Sequence, residues 1–258
     1  MTFRLEDIHV VYPTDEPVSS NELDELESQF GAPLPFGYRD YLTRLGHGWL
    51  NDDVQLYCPD AKLREKQREL LAQEFADSRF SFDGPELTQS DINDAIQIGI
   101  CLRNTIFIAC PRYPGRLFDL YWGGEIKCLE SGVEVLDPLS GMLACGFAFF
   151  EPVSPAAISL NFASASKRIE VYNVTQSIRS LCSDGAVHVF DILGDSGRTP
   201  YECIFLEAIG ARVQIFRAGS EKSPKIHLQA HLPKSRCKDF EAVLEAVAQQ
   251  LRVTFKPA

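Results

Sequence analysis

The sequence predicts an α+β protein: helices packed on a mainly antiparallel sheet, followed by a second, smaller α+β domain. Three observations carry this. Apolar residues recur at helical spacing over residues 20–30 and 38–45, as a surface helix requires. From residue 96 the pattern changes to short apolar runs, AIQIGICL, TIFIAC and LFDLYW, divided by turn residues. Finally, Pro152 and Pro155 coincide with a shift in charge, which places a domain boundary there and divides the chain into 1–152 and 153–258.

Taken in order, residues 2–12 alternate weakly through Ile8, Val10 and Tyr12, giving a short edge strand before a proline-bearing lead-in. Ser19 and Glu22 have capping-box spacing, so each can satisfy a free N–H of the other's residue. Leu23, Leu26 and Phe30 then form one stripe, and Gly31 is suited to the left-handed stop. Pro33 and Pro35 restrict the residues before them and keep 32–34 extended. The next helix buries Tyr38, Tyr41, Leu42 and Leu45 and ends at Gly46 and Gly48, just before Trp49.

Asn51, Asp52 and Asp53 read as a polar turn into a strand through Val54, Leu56 and Tyr57. Two adjacent aspartates lack the further oxygen ligands and the glycine of a calcium loop. Residues 60–75 form a third helix with Leu63, Leu70, Leu71 and Phe75 apolar. Its like-charged pairs Glu65–Glu69 and Arg64–Arg68 leave it to be held by packing. Residues 77–93 read as a polar loop around Gly84-Pro85. Arg103-Asn104 marks a hairpin turn, and residues 122–125 reverse the chain again. A short helix follows near Leu136 to Leu143, with Pro138 in its first turn. The second domain reads as a helix through Val174, Ile178 and Leu181. Four strands come next (AVHVFDIL, YECIFLEAI, ARVQIFRA, KIHLQAHL), then a last helix from about residue 237 to 251.

The opening of this pattern resembles the SUKH superfamily. An acidic helix, Gly-x-x-Leu-Pro-x-x-Tyr, an aromatic-leucine helix and a closing Gly-x-Gly are carried by Glu27, Phe30, Gly31, Leu34, Pro35, Tyr38, Tyr41, Leu42, Leu45, Gly46 and Gly48. A weaker continuation runs over 96–152, through Tyr121-Trp122 and Phe150-Glu151-Pro152. The resemblance covers about the first three fifths of the chain and does not extend to the remainder. It implies a SUKH-like helix-on-sheet domain and a bacterial immunity protein, one that neutralises a cognate toxin by occluding its active site.

Composition bears on the same question. The net charge of −11 is uneven: residues 1–150 hold 12 Lys and Arg against 25 Asp and Glu, while 151–258 hold 13 against 11. An acidic field repels nucleic-acid phosphates and speeds encounter with a basic protein. No apolar run approaches the roughly 20 residues needed to cross a bilayer. The opening stretch has acids by its sixth residue and no secretory apolar core. Eight cysteines without a CxxC pair suit free thiols in a reducing compartment, so a cytoplasmic location is expected.

Catalytic motifs are weak. His227 and His231 have HxxxH spacing, but Ile226, Leu228, Ala230 and Leu232 alternate as a strand. On a strand the two imidazoles stand about 13 Å apart, too far to share a metal. Gly194-Asp195-Ser196-Gly197 matches a serine-protease nucleophile motif, yet neither His47 nor His188 has the setting of a base, and the four residues equally compose a turn. The expectation is therefore a non-enzymatic, cofactor-free binding protein. Its contact residues are expected to be Trp49, Asp52, Asp53, Tyr57, Trp122 and Glu125, and its partner a basic toxin. The alternatives are a serine hydrolase using Ser196, or a scaffold or regulator with a self-associating C-terminal domain.

Overall fold

The computed structural model describes residues 4–12, 17–77, 80–102, 105–121, 124–129, 135–139, 148–152, 156–163, 171–182, 187–192, 201–220 and 223–257. The chain divides into two compact units, Met1–Val153 and Ser154–Ala258, and both are α+β.

The first unit holds strands β1 (Ile8–Val10), β2 (Gly48–Leu50), β3 (Val54–Leu56), β4 (Ser81–Asp83), β5 (Ile96–Cys101), β6 (Thr105–Ala109), β7 (Leu117–Tyr121), β8 (Glu125–Leu129) and β9 (Ala148–Pro152). They form one sheet in the order β1-β9-β2-β3-β5-β6-β7-β8-β4. Its inner neighbours are antiparallel, and the two edge strands β1 and β4 join in parallel. Helices α1 (Ser20–Phe30), α2 (Tyr38–Leu45) and the short α5 (Leu136–Leu139) share a core with Leu50, Val54, Leu56, Phe107, Leu117 and Phe150. Helices α3 (Ala61–Asp77) and α4 (Gln89–Asp94) share another with Ile106, Ile108, Phe118, Leu120 and Ile126. Strand alternation puts these two sets on opposite faces of the sheet.

The first two helices form as their sequence requires. Glu22 donates its backbone N–H to Ser19 Oγ at 3.3 Å, and Ser19 N–H returns a bond to Glu22 Oε2 at 2.8 Å. Gly31 stops α1 in the left-handed region at φ 76°. Phe30, Tyr41 and Leu45 are buried, and the stretch between the helices is extended or turned. A clamp unforeseen in the sequence joins them: Arg39 Nη2 lies 2.8 Å from Asp24 and 2.9 Å from Glu27. Close approach explains Gly48, where a Cβ would strike the Phe150 ring and the carbonyl of Glu151 on the adjoining strand.

Three expectations need correction. Of the third helix's leucines only Leu71 is buried; Leu63 and Leu70 are 39% and 54% exposed, because they lie off the Leu71–Phe75 line that meets the sheet. Residues 77–93 are not all loop. They include β4, three residues long and too short for periodicity to register, and α4, whose capping box uses Thr88 with Asp91 instead of the longer Glu or Gln. Among the described residues the second unit has six strands where four were expected.

That unit contains β10 (Ala156–Ala163), α6 (Val171–Leu181), β11 (Val187–Ile192), β12 (Tyr201–Leu206), β13 (Ala211–Ser220), β14 (Ser223–Leu232), α7 (Cys237–Leu251) and β15 (Thr254–Pro257). Its antiparallel sheet runs β11-β12-β13-β14-β10-β15. One face packs Leu160, Ile204, Val213, Ile215, Leu228 and Leu232 under α6 and α7, with Val174, Ile178, Phe240, Leu244 and Val247 from the helices.

Candidate functional site

The β2–β3 turn is built by two residues that tolerate the left-handed region, Asn51 (φ 51°) and Asp52 (φ 57°), and it closes with Asp53 N–H donating to Leu50 O at 3.0 Å. The Asn51 side chain anchors it by accepting from Phe149 N–H at 2.7 Å. Asp53 then ties the turn to the next strand: its carbonyl accepts from Leu102 N–H at 2.9 Å, and its carboxylate accepts from the Cys101 thiol at 3.3 Å. The β5–β6 and β7–β8 connections leave the sheet at this same end, since β5 stops at Cys101 and β7 at Tyr121.

Register aligns two rows of residues across this end. The outer row is Val54, Cys101, Thr105, Tyr121, Glu125 and Ser81, on β3, β5, β6, β7, β8 and β4. The next is Leu56, Gly99, Phe107, Asp119, Lys127 and Asp83. Both lie on one face; the second row turns from apolar to charged beyond β6, and the outer row ends in Glu125 and Ser81. Strands spaced by about 4.8 Å place β3 and β8 roughly 19 Å apart. The turn aspartates and Glu125 therefore bracket a surface of macromolecular width, too wide for one small ligand to touch both ends.

Asp119 is the unusual group here. It is 7% exposed, and burial pushes its carboxyl above the ordinary value. Lys127 pulls the other way, Glu125 adds to the rise, and a bond from the Thr105 hydroxyl lowers it. Lys127 stands opposite Asp119 in register, yet its ammonium lies 3.2 Å from Glu125 Oε2. Two apolar groups project at the same end, Leu102 at 64% exposed and Tyr121 at 46%.

The structure gathers only some of the expected contact residues. Asp52, Asp53 and Glu125 lie along the end just described, all partly exposed. Trp49 is half-buried on the reverse face, between Gln55 and Glu151. Tyr57 belongs to the interior: its hydroxyl accepts from Gln67 Nε2 at 2.9 Å and Gln97 Nε2 at 2.6 Å, and burial pushes its phenol up to about 12. Trp122 and Ser196 lie outside the described residues. Leu102, Asp119 and Tyr121 lie at this same end and were not among the expected contacts. A signal for the last two existed, since Leu117, Asp119 and Tyr121 alternate with Phe118 and Leu120, so a polar and an aromatic residue share one face of a strand. His227 and His231 stand on β14, as the alternation required. No family model, curated protein or solved structure matches this chain.

Proposed function

We propose that the first unit is a protein-docking module of SUKH type, an immunity protein that neutralises a basic toxin by covering its active site with the turn-bearing end of the sheet. One observation carries the reading: Asp52, Asp53 and Glu125 bracket the exposed Leu102 and Tyr121 at a single end of one sheet. Apolar anchors inside a charged rim are how protein interfaces divide their labour. The anchors supply affinity, and the rim supplies steering and partner choice. A typical interface buries about 800 Å² per partner, roughly 28 Å on a side, and the span from β3 to β8 is most of that width. Further support comes from the acidity of residues 1–150 and from the resemblance carried by residues 27–48.

The experiment is co-purification of the full chain with the protein encoded beside its gene, at low and high salt. A complex that forms at low salt, weakens as salt screens the rim, and inhibits that protein's toxic activity is the expected result. A neighbour that neither binds nor harms cells would contradict the immunity reading.

A further inference from the structure

We propose that Thr105, Tyr121, Glu125 and Asp119 form the seat for one guanidinium group of the docked protein, an arginine that displaces Lys127 and lies on the Tyr121 ring with its charge taken by Asp119 and Glu125. The inference rests on the docking reading above and names the side chain that anchors it.

The five residues form a compact block on three neighbouring strands: Thr105, Tyr121 and Glu125 in the outer row, Asp119 and Lys127 directly behind. Asp119 is the reason to look for a ligand here. The residue is 7% exposed, its Oδ1 is buried, and among the described residues that oxygen has no hydrogen-bond partner. A carboxylate offers about four lone-pair sites, and Thr105 fills one. A buried acceptor left unmet is costly, so such a group is uncommon unless a water, an ion or a ligand completes it. The chain has a cation within one strand spacing, but Lys127 spends it on Glu125. The Lys127 side chain is 44% exposed and long, so it can swing into water and leave Glu125 to a competing cation.

The neighbours select the ligand's chemistry. Lys127 stands between Asp119 and Asp83 in the second row, so the acids do not converge on a point as a metal ion requires. Tyr121 instead offers a half-exposed aromatic face beside them, which attracts organic cations. Asp119 and Glu125 sit diagonally, and a planar guanidinium with five donors can bridge two such acceptors where a compact ammonium meets one. Arginine is also among the residues most enriched at interface centres.

The test is calorimetric titration of the full chain at low salt with an N-acetylated, C-amidated tetra-arginine peptide, and separately with its tetra-lysine counterpart. The seat requires the arginine peptide to bind more tightly. Asp119→Asn should weaken it about tenfold, while Asp83→Asn, an equal loss of charge two strands away, should change it less than threefold. Tyr121→Ala should weaken it and Tyr121→Phe should not, since an exposed ring can be altered without threatening the fold. Equal losses from Asp119→Asn and Asp83→Asn, equal affinity for both peptides, or no binding would each overturn the seat. Weakening by Asp52→Lys with none by Asp119→Asn would also overturn it while leaving the docking face in place, and co-purification judges that face separately.

Discussion

Asp119 stabilises nothing by being charged. Its folded carboxyl binds a proton more tightly than the unfolded one, so ionisation costs stability as pH rises from the unfolded value, about 3.9, through the raised folded value. Asp119→Asn should therefore raise the melting temperature at pH 7, with the gain shrinking toward pH 3.5; a lower Tm at pH 7 would show that the carboxylate is held by something else. Two tyrosines give a matched pair of tests. Tyr38 and Tyr41 are both fully buried, and burial raises both phenols. Tyr38 donates to the carbonyl of Tyr57, whereas the Tyr41 hydroxyl has no hydrogen-bond partner among the described residues. In urea unfolding, Tyr38→Phe should cost about 1–3 kcal/mol, because it strands an acceptor, while Tyr41→Phe should be neutral or stabilising. Helical spacing marked both rings as core. Which hydroxyl would find a partner was not legible, since the Tyr57 carbonyl reaches Tyr38 only through the tertiary fold.

At the scale of elements, local chemistry wrote some pieces plainly and others faintly. The α1 and α2 pair carries its own punctuation in Ser19, Glu22, Gly31, Pro33 and Pro35, and all of it operates in the structure. Helix α4 is built by the same device with a shorter acid, and its Asp91 does two jobs: it caps Thr88 and meets Arg112 at 2.9 Å. Burial pushes the Asp91 carboxyl up, but the bonds from Thr88 and the Arg112 guanidinium outweigh it and hold the group below its usual range. That contribution to stability is complete above the unfolded carboxylate value and is lost as pH falls through the lowered folded one. Thr88→Ala should cost about 1 kcal/mol at neutral pH, and Asp91→Asn should show less acid destabilisation between pH 5 and 2.5 than the native chain. Identical acid profiles would contradict the assignment. The two rows across the sheet had no such local signature. Val54, Cys101, Thr105, Tyr121 and Glu125 are scattered along the chain and meet only through register, which long-range pairing sets.

For the whole molecule, the α+β class and the mainly antiparallel sheet were legible from period and turn chemistry, and charge asymmetry pointed to the acidic part of the chain. Position was harder to read. Asp52, Asp53 and Glu125 were singled out for their charge, and the sheet places them along one end; Trp49 and Tyr57 were singled out for their aromatic character, and alternation and burial take them elsewhere. Charge reversal at Asp52 and Asp53 should slow association with a basic partner about tenfold at low salt, with little change near 1 M salt, because steering acts through a screened field. An unchanged rate would remove these residues from the rim. The most direct test of the docking face is amide hydrogen exchange of the full chain, alone and with the protein captured from its genetic neighbourhood. The account requires new protection at residues 51–53, 101–106 and 119–127. Protection confined to the opposite end of the sheet, at residues 33–37 and 111–116, would contradict it.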